Sequence, residues 1–185
     1  MAVVLIGAPA DAELVRLVLH YYGVAFQERT ADSELRLEAD GVTLEGATTI
    51  ARYLCQQYGA YPSEPYEVYQ IETLTRLREQ VFAAVLQWLE PEDTQALCSW
   101  FSAHERVLRQ VEKRLLNNSC HTYFVGRTVS LADFALFELG SRCFSRPGRE
   151  LESLLRDHAP TYHHFLRHFP GSSPTLHVYI KSRTP

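Results

Sequence analysis

The periodicity of the apolar residues changes once along the chain, and this change limits the possible folds more than any other feature. Before residue 60, short apolar runs alternate with helical stretches, as in a small α/β unit. After residue 65, apolar residues recur only at helical spacing. The stretch 61–65 is rich in Pro, Tyr and Ser, which is typical of a linker. We therefore predict a small α/β domain over 1–60 and an all-helical domain over 66–185, joined by the linker 61–65.

The first part has the element order strand, helix, strand, hairpin, helix. Asp40-Gly41 lies between two short runs and is a strong signal for a two-residue hairpin turn. We predict that Thr48 or Thr49 caps the last helix of this part, because threonine side chains accept hydrogen bonds from helix N-termini. Gly59 is placed to close that helix.

The second part is predicted to consist of helices alone. One long helix over 68–89 and a second over 97–115 have a short connection, which favours an antiparallel pair. Pro91-Glu92-Asp93 is predicted to break the first of them. Shorter helices are predicted over 130–144, 150–158 and 161–169, with a last one from Pro174.

Composition and charge exclude several classes of function. The formal net charge is −4 and the pI about 6.1, so direct nucleic-acid binding through a broad basic face is not expected. No apolar run approaches the ~20 residues of a membrane span. The N-terminal apolar run has no basic segment before it, so we do not expect a signal peptide. We expect the cytoplasm as the location, with the nucleus as a second compartment.

The cysteines and histidines do not predict a metal site. The four cysteines contain no C-x-x-C pair and are expected to be buried or free thiols in a reducing compartment. His163, His164 and His168 form the only histidine cluster, and a helix surface is a commoner arrangement than a zinc site. Neither a metal nor a cofactor is therefore expected.

Two segments resemble the glutathione transferases. The stretch Asp40–Leu44 followed by Thr48–Leu54 resembles the hairpin and third helix of that family, and Tyr123–Gly126 followed by Ser130–Asp133 resembles the buried motif of its helical domain. By element order the resemblance extends over the whole chain. It implies a shortened, degenerate thioredoxin-like α+β subdomain over 1–60, packed on an all-α bundle.

The second motif has a folding role that the residues themselves explain. Ser130 is predicted to cap the helix that follows, and Asp133 to return a hydrogen bond to the backbone of Ser130. This arrangement is a variant of the capping box, so we expect these two residues to be structural rather than catalytic.

The departures from the family bear on function. The family stabilises the glutathione thiolate with a Tyr, Ser or Cys after the first strand, whereas residues 5–10 here contain no hydroxyl or thiol. The family has a Pro before its third strand, where this chain has Leu35, and its γ-glutamyl anchors correspond to Gly46-Ala47. Only residues 30–34 remain where the family has a further helix. The resemblance therefore implies a non-catalytic member without a glutathione cofactor.

A narrower resemblance points to members that scaffold the multi-aminoacyl-tRNA-synthetase complex. The stretches Leu44–Ile50, His168–Gly171 and Val178–Arg183 are similar to scaffolds of the elongation-factor-one-epsilon type. Domains fused to methionyl- and glutamyl-prolyl-tRNA synthetases are similar in kind. The resemblance implies a module that binds other domains of this fold as a heterodimer or in a higher assembly.

The fold implies two contact surfaces for such a module. At the first surface, matched charges would favour a different partner, and clashes between two copies of this chain would disfavour self-pairing. Its predicted residues are Thr48, Ala51, Arg52 and Cys55 in the first part, and Tyr69, Glu72, Thr73 and Arg76 on the first long helix. Arg142 and Arg146 would anchor a second surface, since guanidinium groups bind carboxylates in bidentate fashion. For Arg142 the alternative is that it only complements the C-terminal dipole of its own helix.

Two other functions stay open at this point. A divergent glutathione-dependent transferase would need Cys55 or Cys143 as its nucleophile, although both fall in helical patterns where buried thiols are commoner. A tRNA-binding translation auxiliary would use a basic strip on the second long helix. That strip consists of Arg106, Arg109, Lys113 and Arg114, with Glu105 and Glu112 between them.

Overall fold

The structure is a computed structural model that describes residues 3–8, 12–86, 94–144 and 149–183, without the side chains of residues 85, 86, 94, 149 and 150. Its contacts divide the chain into two compact units. The first unit contains 1–62 together with 170–185, and the second contains 63–169. The boundary between residues 62 and 63 lies inside the predicted linker 61–65. The C-terminal segment differs from the prediction, because it belongs to the first unit, where its helix packs on the first helix of the chain.

The first unit contains a four-stranded mixed sheet in the order β2-β1-β3-β4. Strand β1 (Val3–Gly7) pairs in parallel with β2 (Phe26–Thr30). Strand β3 (Arg36–Ala39) runs antiparallel to β1, and β4 (Val42–Glu45) runs antiparallel to β3. This topology confirms the predicted α+β subdomain.

The hairpin between β3 and β4 is the predicted one. Ala39 pairs with Val42, which leaves Asp40 and Gly41 as the two turn residues. Both have positive φ, 49° and 77° respectively. A two-residue turn whose twist matches the strands needs positive φ at both positions, so Asp-Gly suits it.

The α-helices in the described part of the chain are α1 (Glu13–Tyr21), α2 (Ala47–Tyr58), α3 (Pro65–Val81), α4 (Thr94–Ala103), α5 (Glu105–Asn117), α6 (Leu131–Phe144), α7 (Arg149–His158), α8 (Pro160–His168) and α9 (Pro174–Arg183). A π-helical turn, Phe82–Leu86, continues α3, and a 3₁₀ turn, Phe169–Ser172, follows α8. None of the helices in these described ranges is both long and apolar enough to cross a membrane.

The start of α2 differs from the prediction. Gly46 occupies the N-cap position with φ of 82°, and no side chain caps the helix. The predicted capping by Thr48 or Thr49 is therefore wrong, since both lie inside the first turn. The reason is that a glycine with positive φ turns the chain from β4 directly into the helix. Gly59 closes the helix in the left-handed conformation, as predicted.

The second predicted long helix is interrupted. Helix α4 ends at Ala103 and α5 begins at Glu105, with His104 between them at a φ of −121°. The His104 ring stacks on Trp100 at 4.4 Å between centroids, and its Nδ1 lies 2.9 Å from the Trp100 carbonyl oxygen. The side chain thus stabilises a break that apolar spacing does not indicate. The predicted break at Pro91–Asp93 lies outside the described residues.

The core of the second unit is built around α6. Nearly every residue of this helix is buried, including the acidic Asp133 and Glu138. Helix α3 packs against α6 more extensively than against its other neighbours, and α8 packs on α6 as well. The two carboxylates in this apolar helix are therefore the features of the core that require an explanation.

Candidate functional site

The end of β1 is where the resemblance would place a thiolate-stabilising side chain. Gly7 and Ala8 occupy this end, while residues 9 and 10 lie outside the described part. A Cβ added to Gly7 would lie 2.9 Å from the Leu35 Cα, a distance that real Cβ atoms do not reach. Gly7 also has φ of 148°, which L-amino-acid side chains rarely adopt. No hydroxyl or thiol side chain fits at this position without backbone movement.

Leu35 holds this packing in place. Its side chain is buried, and its carbonyl oxygen accepts a hydrogen bond of 2.8 Å from the Gly46 amide. The peptide bonds of the described residues are all trans, including those around Leu35. The stretch 31–35 connects β2 to β3 without a helix, as the short spacing predicted.

A small cavity lies beside the end of β1. Gly7, Ala12, Arg16, Glu28 and Leu35 are among the residues that line it, and its volume is about 10 Å³. A cavity of roughly 10–15 Å³ is the smallest that holds one water molecule.

The start of α2 is where the resemblance would place the anchors for a γ-glutamyl group. Gly46 and Ala47 offer no polar side-chain atom there. A Cβ on Gly46 would lie 3.7 Å from Glu34 Oε1 and 3.9 Å from Thr49 Oγ1. The carboxylate of Glu34 thus lies close to this helix N-terminus. It would repel a second carboxylate.

Asp133 joins the two halves of the second motif. Its Oδ1 accepts from the Phe124 amide at 2.8 Å, and its Oδ2 accepts from the Ser130 amide at 2.8 Å and from Ser130 Oγ at 2.7 Å. The bond from the Ser130 amide is the one that the capping box required. The Ser130 hydroxyl, however, donates to Asp133 instead of accepting from the helix backbone. Complete burial raises the pKa of Asp133 to about 7 and outweighs these hydrogen bonds.

Glu138 forms a buried ion pair that the sequence analysis missed. Its Oε2 accepts from Arg78 Nε at 2.7 Å and lies 2.5 Å from Arg78 Nη2, so the pair ties α3 to α6. Arg142 Nη1 lies 3.6 Å from Glu138 Oε1. Both guanidinium groups lie over the Phe82 ring, at 4.3 and 4.9 Å from its centroid. The only sequence signal was a single Glu in an otherwise apolar stretch of helix.

This cluster changes the interpretation of Arg142. The side chain is 32% exposed, and it contacts Glu138 one helical turn earlier and Phe82. The structure thus gives Arg142 a role within its own unit, beyond the two roles that the sequence suggested. Arg146, the other predicted anchor of the second surface, lies outside the described residues.

Two of the predicted interface residues on α2 are not accessible. Ala51 and Cys55 are completely buried, so their prediction as surface contacts is wrong. The reason is that α2 packs on α1 and on the sheet, which buries Ile50, Ala51, Leu54 and Cys55 together. Thr48 and Arg52 are half-buried at the edge of this face.

The predicted residues on α3 are more accessible. Tyr69 is 59% exposed, Arg76 is exposed, and Glu72 and Thr73 are half-buried. The Thr73 hydroxyl donates to the Tyr69 carbonyl oxygen at 2.8 Å. Tyr66 precedes them on the same helix, and its ring stacks on that of Tyr69 with 6.3 Å between centroids. This helix therefore presents aromatic and charged side chains to solvent.

The two cysteines considered as nucleophiles are inaccessible. None of the four forms a disulfide, and Cys55 and Cys143, the candidate nucleophiles, are completely buried. A thiol in such surroundings is a poor nucleophile. Within the described ranges, no three His, Cys, Asp or Glu side chains are grouped as metal ligands would be.

The basic strip on α5 is partly paired. Arg109 Nη2 lies 3.2 Å from Glu105 Oε2, while Arg106 and Lys113 are exposed and Arg114 is half-buried. Glu112 points into the unit, where its carboxylate accepts from the amides at the start of α8. Of the two intervening carboxylates, one therefore pairs with the strip and the other caps a helix.

Comparison with known proteins places this architecture in a family. The profile of the family "Glutathione S-transferase, C-terminal domain" matches residues 75–183. No curated protein matches the sequence.

Solved structures with the same fold cover the whole chain. The sigma-class glutathione S-transferase of Fasciola hepatica superposes with a TM-score of 0.81 at 20% identity, covering 100% of this chain and 97% of its own. The Ascaris lumbricoides enzyme gives 0.78 at 21% identity, with coverages of 100% and 98%. A monomeric glutathione S-transferase of the hookworm Necator americanus gives 0.79 at 20% identity, also with 100% and 98%. At these identities the likeness concerns the fold. Since the family profile covers more than half of the sequence, the chain belongs to the glutathione S-transferase family, as defined by its C-terminal domain.

Proposed function

We propose that this chain is a non-catalytic member of the family that works as a protein-protein interaction module. The observation that carries the proposal is the close approach of the Leu35 backbone to Gly7. A glutathione thiolate needs a hydroxyl or thiol donor near its sulfur. Gly7 and Ala8 at the end of β1 carry no such donor, and the approach of Leu35 leaves no space for a side chain at Gly7.

The start of α2 supports the same conclusion independently. The γ-glutamyl end of glutathione carries a carboxylate, which a helix N-terminus attracts through its amides. Here the Glu34 carboxylate lies beside Gly46 and opposes a second negative charge. Gly46 and Ala47 offer no side-chain hydrogen bond to offset this repulsion.

Exposed residues of α3 would carry the binding function. Tyr and Arg are the residue types that contribute most to protein-protein binding when they become buried. Tyr69 and Arg76 are exposed on α3 in the unbound chain, with Glu72 between them. A partner with a complementary charge pattern would bury the aromatic ring and pair with the two charges.

The finer proposal is that the partners are other domains of this fold in aminoacyl-tRNA synthetases or their auxiliary proteins, in the cytoplasm. It rests on the stretches Leu44–Ile50 and Val178–Arg183, which resemble those of the scaffold proteins. Pairing with a different domain would leave further surfaces for a higher assembly.

Affinity capture of the tagged full chain from eukaryotic cells, followed by mass spectrometry, tests both levels. Stoichiometric recovery of aminoacyl-tRNA synthetases supports the finer proposal, and recovery of another specific partner supports only the coarser one. Tyr69→Ala and Arg76→Glu should lower recovery about tenfold, as expected for interface anchors. Arg106→Glu on α5 is the matched control, because it changes charge equally at another exposed position. A lone homodimer in all samples would refute the proposal.

The two alternatives predict different outcomes. Retention on glutathione-agarose with turnover of a general electrophile would indicate a divergent transferase. A salt-dependent mobility shift with tRNA that Arg106→Glu weakens would indicate a nucleic-acid role.

A further inference from the structure

The last helix of the chain is attached to the first helix at its near end by two hydroxyl groups. Ser173 Oγ donates to the Tyr21 carbonyl oxygen at 2.8 Å, and Thr175 Oγ1 donates to the His20 carbonyl oxygen. Both carbonyls belong to the last turn of α1, and that of His20 also accepts from the Gly23 amide at 3.1 Å. The first turn of α9 therefore supplies donors to the end of α1.

The far end of α9 is held by a single carboxylate. Glu13, buried at the start of α1, accepts from Tyr179 Oη at 2.9 Å and from Arg183 Nη1. Arg16 also lies near this carboxylate, with its Nη1 at 3.8 Å, although its stronger contact is with Glu28. A buried carboxylate is stable only while such partners remain in place.

Apolar anchoring of α9 is small by comparison. Leu176 is the buried side chain among the described residues of this helix, while Val178 is 67% exposed. The Tyr179 ring adds a stack on His20, with 3.9 Å between centroids. Elements with few buried apolar contacts open at a lower free energy than the core of their unit.

We propose that α9 is a strap that opens and closes on α1 while the rest of the first unit stays folded, with Glu13 as its lock. The strap follows the 3₁₀ turn Phe169–Ser172, where a Cβ built on Gly171 would have no atom within 4 Å. Opening uncovers the outer face of α1, with Glu13 and the ring of His20. Closing restores the hydrogen bonds of Tyr179 and Arg183. The strap is a device separate from the surface on α3, so it does not depend on the proposed interaction function.

Hydrogen-deuterium exchange of the full chain tests the strap. In the wild type, amides of α9 should exchange through an opening that leaves the amides of α1 and β1 protected. Arg183→Ala and Glu13→Gln should each accelerate exchange of α9 about tenfold, as expected when a charge-assisted hydrogen bond is lost. Lys181→Ala is the matched control, because Lys181 is an exposed cation on the same helix. It should leave the rate unchanged.

Two results would overturn the proposal. The first is exchange of α9 at the same slow rate as α1 in the wild type, which would mean that the helix opens only with the whole unit. The second is a response of α9 that is not specific to the loss of Arg183: either equal exchange of α9 in Arg183→Ala and Lys181→Ala, or equal acceleration of α1 and α9 in Arg183→Ala. Arg183→Ala guards against misfolding of Glu13→Gln, since the Arg183 side chain is partly exposed.

Discussion

Replacing Arg78 by Met removes the strongest partner of a buried carboxylate. Glu138 is completely buried and receives its shortest contacts from Arg78, at 2.5 and 2.7 Å. Breaking a buried ion pair in this way costs about 3–5 kcal/mol. Arg142 remains at 3.6 Å from the other carboxylate oxygen. We therefore expect the lower end of that range, about 3 kcal/mol.

Urea unfolding followed by tryptophan fluorescence measures this loss, because Trp100 lies in the same unit as the ion pair. The free energy of unfolding falls with urea concentration by about 2 kcal/mol per M. A loss of about 3 kcal/mol should therefore lower the urea midpoint of Arg78→Met by about 1.5 M. Arg76→Met is the matched control, since Arg76 is exposed two residues away, and it should change stability by less than about 0.5 kcal/mol.

The double variant Arg78→Met/Glu138→Leu separates the loss of the pair from the cost of an unpaired charge. Apolar replacement of both partners of a buried pair is often neutral, so at least half of the lost stability should return. A loss below about 1 kcal/mol in Arg78→Met would contradict a buried pair that orders α3 on α6. A double variant less stable than the single variant would contradict the charge argument as well.

Three further substitutions test local geometry. Because the folded-state pKa of Asp133 is raised from 3.8 to about 7, its contribution to stability is fully present below pH 3.8 and is lost as the pH rises through about 7. Denaturant unfolding at pH 5 and pH 8 should therefore show a fall that Asp133→Asn lacks, and parallel curves would contradict the shift. Gly140→Ala should destabilise by about 2 kcal/mol despite better helix propensity, since the new Cβ would lie 2.7 Å from Tyr162 Oη. A rise in the thermal midpoint would show that the α6–α8 contact is looser. Gly7→Ala should lower the free energy of unfolding by about 1–3 kcal/mol, because Gly7 has positive φ and a new Cβ would approach the Leu35 backbone. Denaturant unfolding measures this loss. An unchanged stability would contradict the tight packing at the end of β1.

Local chemistry made part of the fold predictable from the sequence. The Asp40-Gly41 turn and the closing Gly59 were predicted correctly, since positive φ at these positions depends on the residue itself. The Ser130–Asp133 motif indicated the start of α6 through its local hydrogen bonds, although it gave no sign that the Phe124 amide is a further partner of Asp133. Where one residue type determines the backbone, sequence reasoning was sufficient.

Long-range contacts account for what the sequence did not predict. Arg78 and Glu138 are 60 residues apart, and Glu13 and Arg183 are 170 apart. No local pattern pairs them. The side of α2 that faces the core was also misjudged, because packing on α1 and on the sheet buries Ala51. The candidate surfaces were therefore less predictable than the local turns.

Loss of the glutathione site is the central claim, and titration of the full chain with reduced glutathione tests it most directly. Amide chemical shifts of Gly7, Leu35 and Gly46 should be followed up to about 10 mM ligand, with an active glutathione S-transferase as the positive control. The account predicts no saturable shift at these three residues. Saturable binding at them with a Kd below about 1 mM would contradict it, because the packing of Leu35 on Gly7 and the carboxylate of Glu34 would then leave a working site.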